Sequence, residues 1–164
     1  MTKSVPLNRR QLLMLASASL VAAPIRGIAA QDSIDIHVVK DPQCGCCNAW
    51  IKILNKEGFN VTIEDRGGQR LTGFKIENGI PENMMSCHTA KVGKYFIEGH
   101  VPAQDIKSLM KKRPTALGIT VPGMPYGAPG MGPEEERDAY DVFIIGPNGG
   151  VEVFQHYSKA GILI

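Results

Sequence analysis

The chain has 164 residues, room for one compact domain of ordinary size, and its 43% hydrophobic residues can build a core without cysteine staples. Its formal net charge of +2 is carried by residues 1–30, which hold Lys3, Arg9, Arg10 and Arg26 and no acid. The remaining 14 basic residues face 16 acidic ones, which excludes the strongly basic footprint of a nucleic-acid binder.

Residues 1–30 read as a signal peptide. Lys3, Arg9 and Arg10 form a positive region, Leu12 to Ala23 is apolar, and Ala29-Ala30 offers small residues for cleavage before Gln31. The apolar run is shorter than the ~20 residues that span a bilayer. Asn8-Arg9-Arg10-Gln11-Leu12-Leu13 resembles a twin-arginine signal, with a plain secretory signal as the alternative. Residues 31–164 are then expected to be a single exported domain in a bacterial periplasm, with no stable membrane span after cleavage.

Ile34 to Lys40 alternates and then turns β-branched, which predicts a first strand ended by Asp41-Pro42-Gln43. From Cys46 the period becomes helical, with Trp50, Ile51, Ile53 and Leu54 on one face and Gly58 as the stop. Phe59 to Ile63 reads as a second strand. Residues 69–79 predict a short helix with Leu71, Phe74 and Ile76 as its apolar face. Met84 to His88 reads as a loop, followed by a hairpin of Thr89–Val92 and Tyr95–His100 around Gly93-Lys94. Pro102 starts a helix to about Lys112, with Ile106, Leu109 and Met110 inward. Residues 113–134 are rich in Gly and Pro and read as a long loop, of the kind that is often functional. Glu134 to Arg137 reads as a solvated helical patch. Tyr140–Ile145 and Val151–Tyr157 predict a second hairpin. The β-α-β opening, with cysteines where strand meets helix, points to an α/β (α+β) fold. It is expected to be thioredoxin-like, a mixed central sheet with flanking helices.

The chain has four cysteines: Cys44, Cys46 and Cys47 within four residues, and Cys87. In an oxidising compartment four cysteines default to two disulfides. Adjacent Cys46 and Cys47 pair with each other only under strain. Cys44 and Cys47 can close a bridge at the helix mouth, which leaves Cys46 only Cys87. The C-x-x-C spacing at a helix N-terminus suits thiolate chemistry, because the free N–H groups and the dipole favour the anion. A dithiol oxidoreductase needs two thiols. A third adjacent thiol favours metal capture, since thiolates bridge soft ions. Metal binding, thiol–disulfide exchange through Cys44 and Cys47, and structural bridging are therefore the three readings.

Cys87-His88 adds a thiolate and an imidazole in one loop. Thiolates select Cu(I) or zinc, and thioethers favour copper. Met124 and Met131 lie in Gly/Pro loops away from any amphipathic face, so they are candidate ligands or lid residues. Met84 and Met85 read as packing. His37 reads as structural, whereas His100 and His156 are each either a ligand or a turn or strand residue. Asp41 and Glu98 are candidates to orient an imidazole.

Lys40-Asp41-Pro42 before Cys44-Gly45-Cys46-Cys47, Ser86-Cys87-His88-Thr89-Ala90, Ile97 to Ala103 and Val121-Pro122-Gly123-Met124-Pro125 together resemble the domain-of-unknown-function family 411. That family includes the CopG-type periplasmic copper-resistance proteins. The resemblance covers most of residues 34–157. It implies a thioredoxin-like fold and a multinuclear Cu(I) cluster bridged by Cys44, Cys46 and Cys47, completed by Cys87 and His88, with Met124 and Met131 as contributors. The expected function is periplasmic copper homeostasis or resistance, with copper ions and periplasmic copper donors or acceptors as partners. Cycling between Cu(I) and Cu(II), making the protein a copper-dependent oxidoreductase, is its extension. A thiol–disulfide oxidoreductase using Cys44 and Cys47 is the alternative.

Overall fold

Alternation at Ile34, Ile36 and Val38 forms β1 (Ile34–Lys40) in the computed structural model of the protein. The structure describes residues 33–161. The signal segment expected over 1–30, with its cleavage point before Gln31, lies outside the described residues. Helix α1 (Gly45–Lys56) follows β1 and buries Cys47, Trp50, Ile51 and Leu54, the face that the 3.6-residue period predicts. β2 (Phe59–Asp65) runs parallel to β1, with Ile34 opposite Phe59. Then come α2 (Gln69–Glu77), the hairpin β3 (His88–Val92) and β4 (Tyr95–Glu98), and α3 (Ala103–Lys112). α3 ends at Arg113, which is left-handed at φ 49° and followed by Pro114. Short β5 (Gly118–Thr120) and the hairpin β6 (Tyr140–Ile145) and β7 (Val151–Tyr157) complete the chain.

The seven strands form one mixed sheet in the order β2-β1-β3-β4-β5-β6-β7. β1/β2 and β4/β5 are parallel, and the other pairs are antiparallel. The larger core cluster joins Trp50 and Leu54 of α1, Ile106 and Leu109 of α3, and Ile36, Val38, Ala90 and Ile97 of the sheet. Phe96 belongs to a second cluster with Ile80 and Ile145. Side chains alternate across a strand, so α1 and α3 cover one face and Phe96 looks to the other.

Three expectations are corrected. β5 lies inside the stretch read as loop, and it joins the two hairpins into one sheet. Three residues show no period, and the strand depends on Gly118. A Cβ there would collide with the carbonyl oxygen and ring of Phe96. In α2 the inward residues are Leu71 and Lys75, not Ile76, which is 64% exposed. β4 ends at Glu98 rather than His100, because Gly99 turns the chain at φ 72°.

Candidate metal centre

The sheet register assembles the site. Lys40, the last residue of β1, pairs with His88, the first of β3. The chain leaving β1 therefore meets the chain arriving at β3, bringing Cys44 to Cys87 across 43 positions of sequence. Glu98 pairs with both Thr89 and Thr120, so the ends of β4 and β5 release His100 and the Gly/Pro loop at the same end of the sheet. Four connections thus converge on one spot.

Cys44 occupies the N-cap of α1, and its Sγ accepts the Cys47 backbone N–H at 3.3 Å. Asp41 shapes the turn before it. Its carbonyl accepts Cys44 N–H at 3.1 Å and its carboxylate accepts Gln43 N–H at 2.9 Å. Asp41 therefore serves this turn and makes no imidazole contact. Cys44 and Cys47 form a disulfide of 2.06 Å, while Cys46 and Cys87 are free thiols. Cys46 Sγ lies 3.4 Å from Cys44 Sγ and 4.0 Å from Cys87 Sγ, and Cys47 Sγ lies 3.5 Å from Cys87 Sγ. All four sulfur atoms fall within 4.8 Å of one another.

Two imidazoles extend the group. Cys87 Sγ is 3.3 Å from His88 Nδ1 and 3.1 Å from His100 Nε2. His88 is fully buried, with its ring 4.3 Å from Trp50 and 5.0 Å from His100. Trp50 is held in turn by its Nε1–H donating to Val101 O at 2.8 Å. Burial pushes the Cys87 thiol up to about 12, and the neighbouring Cys46 adds to the rise. Burial holds the His88 imidazole well below its ordinary range, helped by the nearby His100 and Lys75. His100 is lowered by burial too, against the pull of its bond to Pro129. Both rings thus favour the neutral form that can bind a metal.

His100 is the site residue that the sequence left undecided. A lone histidine after a strand carries no signal of its own, whereas its pairing with Cys87 comes from the β3/β4 hairpin. His156 is 15 positions beyond Asp141, bonds to it at 2.6 Å on the outer hairpin, and stays outside the cluster. His37 bonds Thr62 and Glu64. Glu98 binds no imidazole; it is buried against Lys75 and Thr89. Met124 is 59% exposed. Met131 is half-buried and follows Gly130, which packs on the backbone of Cys46 and Trp50. Thus the structure gathers Cys44, Cys46, Cys47, Cys87 and His88 and adds His100, while the two methionines occupy the covering loop.

The family model described as "Protein of unknown function, DUF411" matches residues 84–131. Two solved structures, named copper resistance protein copG form 1 and form 2, resemble the chain. The first is 40% identical with a TM-score of 0.72, and the second 41% with 0.70. Each comparison covers 77% of this chain and 99% of the other. The chain belongs to the DUF411, CopG-type family. No curated protein sequence matches it. Within this CopG-type chain the DUF411 match includes Cys87, His88, His100 and the loop through Met131. The Cys44-Gly45-Cys46-Cys47 run lies outside that match and reaches the site through β1 pairing with β3.

The donor set is soft. With the Cys44–Cys47 bridge reduced, it combines four sulfurs with two neutral imidazoles, one of which has a buried Nε2 (His88) with no hydrogen-bond partner among the described residues. Hard cations prefer oxygen ligands, which this group lacks.

Proposed function

We propose that this protein handles copper, holding Cu(I) as cargo in a multinuclear thiolate cluster of Cys44, Cys46, Cys47 and Cys87, with His88 and His100 at its inner wall. The observation that carries the reading is the meeting of four sulfur atoms within 4.8 Å. Thiolates bind soft Cu(I), and adjacent thiolates bridge several ions. The names of the two solved relatives, both copper resistance proteins, support copper over zinc. Met124 and Met131 then offer thioethers where ions pass to and from donor or acceptor proteins.

The same reading takes the fold as thioredoxin-like. It is supported by the β1-α1-β2 unit, the later β3-β4 hairpin, the order β2-β1-β3-β4 and the cysteines at the mouth of α1. The working place is the periplasm, reached through the leader in residues 1–30. No helix among the described residues is long and apolar enough to cross a membrane.

The test is anaerobic Cu(I) titration of the reduced protein against a chromogenic chelator. Several ions per chain are expected, with lower stoichiometry in Cys46→Ser and in Cys87→Ser. Unchanged binding in both variants would overturn the cluster.

A second reading has its own support in the Cys44–Cys47 disulfide across the first turn of α1. In it the pair exchanges electrons with substrate thiols, or with copper as it cycles between Cu(I) and Cu(II). Pure thiol–disulfide exchange predicts that Cys46→Ser and Cys87→Ser leave insulin reduction intact.

A further inference from the structure

Helix α2 places a lysine where its period calls for an apolar residue. Leu71 and Lys75 are one turn apart on the inward face, and Lys75 is almost wholly buried. Burying an ammonium is costly unless it is paired. Its partner is Glu98, whose side chain has no exposed surface. Glu98 Oε1 accepts Lys75 Nζ at 2.5 Å and the Ser86 backbone N–H at 2.6 Å. Glu98 Oε2 accepts the Thr89 hydroxyl at 2.5 Å, and that hydroxyl accepts a second Lys75 proton at 2.9 Å.

The order of these contacts along the chain is informative. Ser86 lies immediately before Cys87-His88, and Thr89 immediately after. One carboxylate therefore grips both flanks of the dipeptide that carries the thiol and the inner imidazole. Thr89 is already held by its place opposite Glu98 in the hairpin. Ser86 lies before the start of β3, so the carboxylate is what binds its N–H. Buried ion pairs often add little over a hydrocarbon pair of the same volume, whereas this one also accepts the Ser86 N–H and the Thr89 hydroxyl. The charges are thus explained by what they hold.

We propose that Glu98, held by Lys75, is a positioning residue that sets Cys87 and His88 against Cys46 and the mouth of α1. The inference rests on the thiolate-site reading for its purpose, but the geometry it asserts can be tested without metal.

In a Cys44→Ser/Cys47→Ser background, Cys46 and Cys87 are the only thiols, with sulfurs 4.0 Å apart. Diamide takes two electrons and two protons from the pair and becomes the hydrazine as one S–S bond forms. The rate of this cross-link, relative to diamide oxidation of the same chain in urea, measures how well the two thiols are positioned. Adding Lys75→Met/Glu98→Leu removes both charges and the acceptor. Adding Lys75→Met/Glu98→Gln removes the charges but keeps an oxygen for Ser86 N–H.

The Leu variant is expected to cross-link about tenfold more slowly and the Gln variant to recover most of the rate, as positioning effects on reacting groups require. A purely structural role would slow both variants alike or neither. Equal rates in the Leu and Gln variants overturn the proposal, as does a parent that fails to cross-link. Should the Leu variant not fold, Thr89→Val, which keeps the ion pair, decides the matter. It removes the hydroxyl that fixes Glu98 Oε2 and so loosens the carboxylate that binds the Ser86 N–H. It is expected to slow the reaction about threefold, and an unchanged rate overturns the proposal. Failure of copper uptake leaves these outcomes untouched, so the two readings fall separately.

Discussion

His100 donates its Nδ1–H to the Pro129 carbonyl at 2.7 Å. A carbonyl can only accept, so the proton sits on Nδ1 and the neutral ring turns its Nε2 lone pair toward Cys87 Sγ, 3.1 Å away. The Gly/Pro loop thereby selects the tautomer of a residue that lies 29 positions before it in the chain.

That relationship depends on Gly130. It sits at φ +84°, and a Cβ there would meet Trp50 N at 2.8 Å. Gly130→Ala is expected to cost about 1–3 kcal/mol, because the left-handed backbone and the helix contact oppose it together. The loop carrying Pro129 should also shift. Urea unfolding checks the first effect, and the NMR tautomer signature of His100 checks the second. A variant as stable as the parent would show that the loop does not rest on α1.

Acid should weaken the metal-free fold. His88 and His100 both have pKa values held below the ordinary 6.5 in the native state. The unfolded chain takes up protons near 6.5 that the native rings refuse. Stability is therefore complete above this value and is lost as pH falls below it. The slope is at most about 1.4 kcal/mol per pH unit per histidine. Urea midpoints at pH 7.5 and 5.5 should differ, and His100→Gln should shrink the difference. Glu98 and Asp105, raised by burial, act in the opposite sense, so the deciding result is the variant: a difference unchanged in His100→Gln contradicts the burial of that ring.

Copper uptake should depend on the redox state and on pH. Closing the Cys44–Cys47 disulfide removes two of the four sulfurs as thiolate donors. The oxidised protein is expected to lose about half or more of its Cu(I) stoichiometry, because only the thiolate is a strong ligand. Cys87, with its thiol pushed up to about 12, must release a proton when it ligates. Affinity in the reduced protein should then rise about tenfold per pH unit for each proton displaced. Chelator competition at pH 6.5 and 7.5 reads both effects.

Trp50 should report on occupancy. It is the chain's single tryptophan, and its ring lies 4.3 Å from that of His88. Copper binding beside His88 is expected to quench its emission strongly, and Cys87→Ser to remove most of the response. Emission that is unchanged on saturation would place the metal away from this wall.

The pattern of side chains along the chain was enough to read β1, α1, β2, both hairpins and the third helix. Each rests on local physics: period-2 alternation in Ile34–Lys40, a 3.6-residue stripe through Trp50 and Leu54, and turn residues at Gly93 and Gly149. The sulfur-rich character of the cluster was legible too, because three cysteines fall within four residues. The resemblance to family 411 was carried by short motifs and is borne out by the comparisons.

Tertiary structure decided the rest. β5 forms because Gly118 lets β4 approach on one side and β6 completes it on the other, and three residues leave no periodic trace. Lys75 turns inward because Glu98, 23 positions later, neutralises it in the core, and a pattern of hydrophobicity cannot foresee a buried ion pair. His100 joins Cys87 because Thr89 pairs with Glu98, which is a fact of strand register. Composition and spacing thus name the donor types. Which donors meet is set by non-local hydrogen bonds and packing between segments that are distant in the chain.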